Sequence, residues 1–318
     1  MIKKLFATVV MSFSAAAFAV PFGSQSVLVV DDATGKVLIE KNADTVAPIA
    51  SLTKLMTAMV VLDARLDMDE QIEIDRSDVD TVKYSSSRVP VGASISRRDV
   101  LHLALMSSDN RAAAALARTY PGGKEGFKVA VRRKIQALGM SQTSIEEPTG
   151  LSPHNRSSAV DLIKMATAST KYPEIVRMTT ESKDIIDING RGVEYRNTNR
   201  LVGAKGWDVG LSKTGFTNEA GRCLIMNIKA AGKNATLVLL NAGASSARVM
   251  DALNIRRFIA GDEAPVRVAR AASGGPRIKA SAGRSTSKAS SRVKPGAKAK
   301  VVKKRVVAKV KTTRKRRD

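Results

Sequence analysis

The 318-residue sequence has one cysteine, Cys223, and two histidines, His102 and His154. A single cysteine excludes any disulfide within the chain. Its setting, Arg222-Cys223-Leu224-Ile225-Met226-Asn227, reads as an apolar strand, so a buried structural thiol is expected rather than a reactive one. The histidines are too few and too isolated in sequence for a metal site: His102 lies in a helical run as packing or surface, and His154 follows Pro153 in a loop. No metal or other cofactor is expected. Long apolar runs are missing after the first twenty residues, which leaves no further membrane span and a mature protein that is soluble or peripheral. Internal repeats are missing too. Acidic residues almost vanish at the C-terminal end: from Pro265 onward there are 19 Lys or Arg against one acid, Asp318. That stretch carries +18 of the formal net charge of +24, and the rest of the chain is only mildly basic.

What is present divides into three parts. Lys3 and Lys4, the apolar or small run Leu5 to Ala16, and Ala17-Phe18-Ala19 match an export signal cleaved after Ala19. Residues 1–19 are therefore assigned as a signal peptide, and the protein is expected in the periplasm, either free or peripheral to the membrane or wall. Residues 20–262 are apolar enough to bury a sizeable core. Residues 263–318, rich in Lys, Arg, Ala, Ser and Val, form a basic low-complexity tail expected to be disordered in isolation.

Within the middle part, Ser26 to Glu40 reads as a hairpin around Asp32-Ala33-Thr34-Gly35. Leu52, Leu55, Met56, Met59 and Val60 repeat at helical spacing from about Ser51. Residues 70 to 95 are polar, with the serine run Ser85-Ser86-Ser87. Ser96 and Asp99 open a helix to Met106, and Ser108-Asp109-Asn110 separates it from Arg111 to Tyr120, with Asn110 near the N-cap. Helices follow over about 124–138 and 157–170. Beyond a polar region with a strand candidate at Ile185 to Ile188 come three strands, Val209 to Thr214, Arg222 to Ala230 and Ala235 to Leu240, then a helix over about 246–259. Strands at both ends with helices between them predict an α+β fold: an antiparallel sheet built from both chain ends, flanked by helices, with an inserted helical subdomain.

Three short patterns carry the chemistry: Ser51-Leu52-Thr53-Lys54, Ser108-Asp109-Asn110 and Lys213-Thr214-Gly215. Each is weak alone, because roughly one Ser-x-x-Lys arises by chance in a chain this long. Ser285 with Lys288 and Ser291 with Lys294 fit it in the tail. Order and context give the trio its weight. Ser51 and Lys54 share a face at a helix start. A serine hydroxyl needs a group to take its proton, and a lysine does so only when burial or a second cation, for which Lys213 is the candidate, lowers its pKa. Ser108 offers a second hydroxyl for proton relay, and Asn110 an amide to bind a peptide carbonyl or orient Lys54. Read as structure alone, Ser108 and Asn110 cap the following helix. Lys213-Thr214-Gly215 ends a strand whose glycine lets a substrate backbone approach and add as a further strand.

Together these motifs resemble the low-molecular-mass penicillin-binding proteins, the D-alanyl-D-alanine peptidases of the S11 serine peptidase family, over about residues 24–261. Ala50 to Ala58 is similar to that family's nucleophile segment, and Glu147-Pro148-Thr149-Gly150-Leu151-Ser152 to one of its loops. Lys213 to Cys223 is most similar to the D,D-endopeptidase branch, the penicillin-binding protein 7 type. The resemblance implies the β-lactamase/D,D-peptidase-like fold, Ser51 as acyl-enzyme nucleophile, Lys54 as general base and Ser108 in proton transfer. It implies substrate binding by Asn110, Lys213, Thr214, Gly215 and Phe216, with the backbone N–H groups of Ser51 and Phe216 as oxyanion hole. Arg248 is a carboxylate contact from its position only. The implied substrate is peptidoglycan, cut at a D-alanyl bond, with β-lactams as acylating inhibitors. Many D,D-carboxypeptidases of the family carry a second β-rich domain and an amphipathic anchor; a basic tail stands here instead, which favours the endopeptidase branch.

The rivals are a D-alanyl-D-alanine carboxypeptidase, a serine β-lactamase and a non-enzymatic polyanion-binding envelope protein. A class A-type β-lactamase needs a deacylating glutamate. Glu146 and Glu147 fall at a suitable position, but Pro148-Thr149-Gly150 replaces the usual Glu-x-x-Leu-Asn continuation. The tail suits anionic envelope polymers or lipid, with salt-sensitive affinity; export argues against nucleic acid.

Overall fold

The structure, a computed structural model, describes residues 22–262; the expected signal peptide and basic tail lie outside the described residues. The chain opens with the hairpin β1 (Ser24–Asp31) and β2 (Val37–Lys41). A short strand β3 (Ala47–Pro48) leads into a single 3₁₀ turn, Ala50–Leu52, and then α1 (Thr53–Asp63). Every residue of α1 from Thr53 to Val61 is buried, including the polar Thr53, Lys54 and Thr57 among its apolar residues. Strands β4 (Gln71–Glu73) and β5 (Ser94–Ser96) pair and bracket the polar stretch. Next come α2 (Arg97–Met106), whose N-cap Ser96 accepts the Asp99 N–H, and α3 (Asn110–Arg118) and α4 (Gly123–Ala137). Strand β6 (Arg156–Ser157) pairs with β3, and Ser158 caps α5 (Ala159–Ser169).

The following segment departs from expectation. Helix α6 (Pro173–Thr180) has Pro at its first turn and buries Ile175, Met178 and Thr179 at helical spacing. Its eight residues are too short for a periodic signal. A full hairpin, β7 (Lys183–Ile188) and β8 (Arg191–Arg196), stands where one strand was expected. The chain closes with the meander β9 (Asp208–Thr217), β10 (Gly221–Ala230), β11 (Lys233–Ala242) and with α7 (Ser245–Ala260), stopped by Gly261 at φ +85°.

The main sheet has the order β2-β1-β11-β10-β9, antiparallel throughout, so β1 from the start of the chain pairs with β11 from its end. Alternation along the strands separates two cores. Val27, Val29, Leu224, Met226, Leu237 and Leu239 face Ala252, Ile255 and Ile259 of α7. Leu28, Cys223, Ile225, Val238 and Leu240 face α1 and the other helices. Burying each of the larger side chains stabilises the fold by about 1.5–3 kcal/mol. Asp251 on α7 accepts the Gly23 and Ser24 N–H groups and the Ser24 hydroxyl, which ties the first strand to the last helix. Cys223 is fully buried and burial pushes its thiol up to about 11, as a structural cysteine should be. Among the described residues no helix is long and apolar enough to cross a membrane.

Candidate active site

The 3₁₀ turn and α1 present Ser51 and Lys54 together. Ser51 does not cap the helix; its Oγ accepts a hydrogen bond from Lys54 Nζ at 2.8 Å. The ammonium is 1% exposed and spends its other two N–H groups on Asn110 Oδ1 at 2.6 Å and the Thr149 carbonyl at 2.7 Å. Burial lowers its pKa from 10.5 to about 8, against the opposing pull of Glu147 and Asp109. Lys213 is buried as well: burial, then the charges of Lys54 and Arg248, hold its pKa well below the usual lysine range. A charge on either lysine disfavours a charge on the other.

Helix α3 is capped by Asp109, not Asn110. The Asp109 carboxylate accepts the Ala112 N–H at 3.0 Å and the Ser87 hydroxyl at 2.7 Å. Asn110 is thereby free to face Lys54 with its carbonyl and to donate its amide to Ser85 Oγ at 2.8 Å. Ser108 stands at φ +60°, a left-handed backbone that turns its side chain into the cleft. Ala50, immediately before the nucleophile, is at φ +47°. Both serine-bearing turns therefore carry backbone strain of the kind that clusters at functional sites.

The third motif lies inside β9 rather than at its end, because the strand runs on to Thr217 before the Asn218-Glu219-Ala220 turn. Lys213 is buried against the Thr214 carbonyl and does not reach the cleft surface. Thr214 does, with its hydroxyl 2.6 Å from that of Thr198. Gly215 is needed for a close approach: a Cβ there would stand 3.0 Å from the Ile49 carbonyl and 3.1 Å from the Ser51 nitrogen. Phe216, half exposed, lies beneath the Arg222 guanidinium at 3.7 Å. In the main sheet β9 is the edge strand, so its outer side is open to an added strand. Arg248 on α7 borders the cleft but is itself buried, donating to the Cys223 carbonyl at 3.1 Å.

Ser51, Ser108, Asn110, Thr214, Gly215, Phe216 and Arg248 thus share one cleft of about 780 Å³. Thr198, Arg200 and Arg222 also border it. Thr198 and Arg200 stand in no motif, so no local pattern marks them; Arg222 lies in the segment Lys213 to Cys223 but had no role assigned. Arg248, Arg200 and Arg222 border the cleft and make it suited to an anionic group next to a nucleophile.

Glu147 holds the wall opposite β9. One of its oxygens accepts from the Thr149 N–H and hydroxyl, the other from Gly150 N–H, Ser152 N–H and Asn155 Nδ2. Both oxygens are occupied, so this glutamate fixes the loop that supplies the Thr149 carbonyl to Lys54 and does not face a water beside Ser51. That removes one of the two glutamates on which the β-lactamase reading rested; the other, Glu146, accepts the Ser152 hydroxyl at 3.2 Å. Thr57 and Asn155 pin the same loop to α1. Gly150, at φ +88°, lies against the 3₁₀ turn: a Cβ would collide with the Ala50 carbonyl and stand 2.7 Å from the Ser51 nitrogen. Gly150→Ala is expected to abolish acylation and to destabilise the fold by about 3 kcal/mol, from overpacking and the left-handed φ together. Acylation and melting temperature would both fall; a variant that acylates normally would show the contact to be unimportant.

His102 is packing rather than surface, and it has charged neighbours. It is buried, with Nε2 2.7 Å from Glu181 and Nδ1 3.4 Å from Asp184, and one ligand atom from each of the three lies within 4.8 Å of the others. Isolation in sequence was a poor guide to its neighbours, since α6 and β7 bring in both carboxylates. His154 is exposed in its loop.

Comparison with known proteins places this geometry. Residues 13–244 match the S11 peptidase family, described as D-alanyl-D-alanine carboxypeptidase. The chain is 48% identical over 238 residues to a D-alanyl-D-alanine endopeptidase of Pseudomonas aeruginosa, covering 74% of this chain and 77% of the relative. It is 46% identical to one of Escherichia coli, with the same coverage. Among solved structures, the Streptomyces K15 DD-transpeptidase matches with a TM-score of 0.70 at 25% identity, over 76% of this chain and 98% of that one. Penicillin-binding protein D2 of Listeria monocytogenes, in its ampicillin-bound form, matches with a TM-score of 0.65 at 30% identity, over 76% and 98%. On these matches the chain belongs to the S11 family of serine D-alanyl-D-alanine peptidases.

Proposed function

We propose that the protein is a penicillin-sensitive serine D,D-peptidase that cleaves D-alanyl bonds in peptidoglycan, with cross-links between stem peptides as its preferred substrate. The observation that carries this reading is the Ser51–Lys54–Asn110 constellation beside an open strand edge. Neutral Lys54 takes the Ser51 proton as Oγ attacks the D-alanyl carbonyl carbon. The carbonyl electrons move onto the oxygen, which the Ser51 and Phe216 N–H groups hold. Collapse breaks the C–N bond, and the leaving amine receives its proton from Lys54 through the Ser108 hydroxyl. Water then cleaves the ester by the reverse relay. Asn110 binds the amide before the cut bond. Thr214, with Lys213 and Arg248 behind it, meets the carboxylate on the leaving side. A β-lactam enters as an analogue of the same bond and stays on Ser51.

The preference for cross-links rests on the similarity to two proteins named endopeptidases. The first nineteen residues support export and action in the periplasm, in wall remodelling that maintains cell shape, and the basic tail supports attachment to anionic envelope polymers or lipid. Purified protein incubated with cross-linked muropeptide dimers and, separately, with pentapeptide monomers tests the reading. Conversion of dimers to monomers at a higher kcat/KM than release of terminal D-alanine supports it. Faster release of D-alanine would make the protein a carboxypeptidase, and consumption of penicillin with neither product a β-lactamase.

A further inference from the structure

Residues 80–88 carry the serine run of the polar stretch, and nothing in the chemistry above uses them beyond two hydrogen bonds. Asp80 gathers this segment: its Oδ1 accepts the Val82 and Lys83 N–H groups at 2.8 and 3.0 Å, and its Oδ2 the Ser85 N–H at 2.8 Å. From there it reaches both walls of the cleft. Lys83 Nζ lies 2.6 Å from each oxygen of Glu219, in the turn that follows β9. Ser85, two residues on, accepts the Asn110 amide on the helical wall. Residues 83–85 therefore span from the sheet wall to the helical wall.

Between those anchors stands Tyr84, 82% exposed, with Val82 at 69%. Tyr84 has φ +54°, a conformation that a bulky aromatic residue seldom adopts and that glycine takes freely. An exposed ring at a strained position, between two fixed neighbours, serves no packing purpose in the fold. Beneath it, Val82 and Asn110 border a second hollow of about 350 Å³ with Ala114, Pro148 and Leu151, and Asn110 also lines the catalytic cleft. The carboxylate-seeking groups, Arg248 and Arg200, share the main cleft with Thr198 and with Thr214, which lies on β9 before the turn that carries Glu219.

We propose that residues 82–85 form a strap across the cleft and that Tyr84 and Val82 bind the acyl strand of the peptide substrate, upstream of the bond that is cut. The inference rests on the peptidase reading given above. An extended acyl strand adding along β9 toward Thr217 passes under the Lys83–Glu219 bridge, where an aromatic face and a small apolar side chain offer contact but no charge. The backbone that carries the ring is fixed in advance by Lys83 and Ser85, so binding has only the side chain left to order, which explains why the strain is kept.

The test is Tyr84→Gly in the full-length chain, with Tyr84→Phe beside it. Substrates are cross-linked peptide dimers whose acyl strand is shortened stepwise, to the last two residues before the bond. With the long acyl strand, Tyr84→Gly should lose about tenfold in kcat/KM, mostly as a higher KM. With the shortest strand the loss should disappear. Tyr84→Phe should keep the wild-type profile. The melting temperature of Tyr84→Gly should equal or exceed that of the wild type, because glycine relieves the left-handed backbone. Equal rates at every length would overturn the inference, as would an equal loss at every length, which would mean the strap acts only through Ser85 on Asn110. If wild-type protein cleaves no dimer of any length, the peptidase reading itself fails, and the strap proposal falls with it.

Discussion

Ser51→Ala is expected to remove every covalent penicillin adduct and to lower peptide hydrolysis by about 10³-fold or more, with little change in stability. The reasoning is geometric. Ser51 Oγ is the one hydroxyl that Lys54 Nζ touches, and the turn holding it is fixed by Gly150 on one side and Gly215 on the other. Without the hydroxyl there is no ester to form. Residual turnover would come only from substrate orientation and oxyanion binding, which survive loss of a nucleophile in other serine hydrolases. Stability should stay within about 0.5 kcal/mol, because Lys54 keeps its bonds to Asn110 and Thr149. A variant still labelled by fluorescent penicillin on a denaturing gel would remove Ser51 from the mechanism. Tail-driven binding to anionic polymers should be untouched by this substitution.

The second large effect is on pH. Lys54 must be neutral to act as a base, and its pKa is about 8. Acylation should rise through pH 8 to a plateau, and below it fall about tenfold for each unit. Glu147 is the largest charge favouring the ammonium, so Glu147→Gln should move the midpoint of that profile to lower pH. Stability should carry the same signature with a defined sign. The folded pKa lies below the unfolded value of 10.5, so between about pH 8 and 10.5 the unfolded chain binds more protons and stability rises with pH. Below about pH 8 the full cost of burying the charge, about 3 kcal/mol, is present. Acylation rates by stopped flow across about pH 6–9 provide the check. A flat profile would mean that another group takes the serine proton.

The parts of this molecule written in periodic patterns were legible before folding. The β1–β2 hairpin, the largely apolar α1, the terminal meander and the closing α7 all appear within a few residues of where spacing and turn residues put them. The order of the three motifs also fixed which serine and lysine meet, despite chance copies of Ser-x-x-Lys in the tail. What stayed hidden was made by contacts between residues far apart in sequence. Thr149 reaches Lys54 across 95 residues through a backbone carbonyl, an atom every residue has. Asp109 took the cap that Asn110 was expected to fill because Ser87 holds its carboxylate in place. Lys213 was expected in a motif that ends its strand and is buried because β9 continues two residues past Gly215 and packs on the nucleophile turn. Helix α6 is too short to show a period, and the acids it brings to His102 could not be foreseen.

The central claim is that one serine, Ser51, forms the acyl-enzyme. Its most direct test is intact-mass measurement of the full chain after brief exposure to benzylpenicillin, followed by tryptic mapping of the adduct. One penicillin per chain, carried on the peptide spanning residues 42–54, is the predicted result. An unmodified chain, or an adduct on any peptide outside that segment, would contradict it.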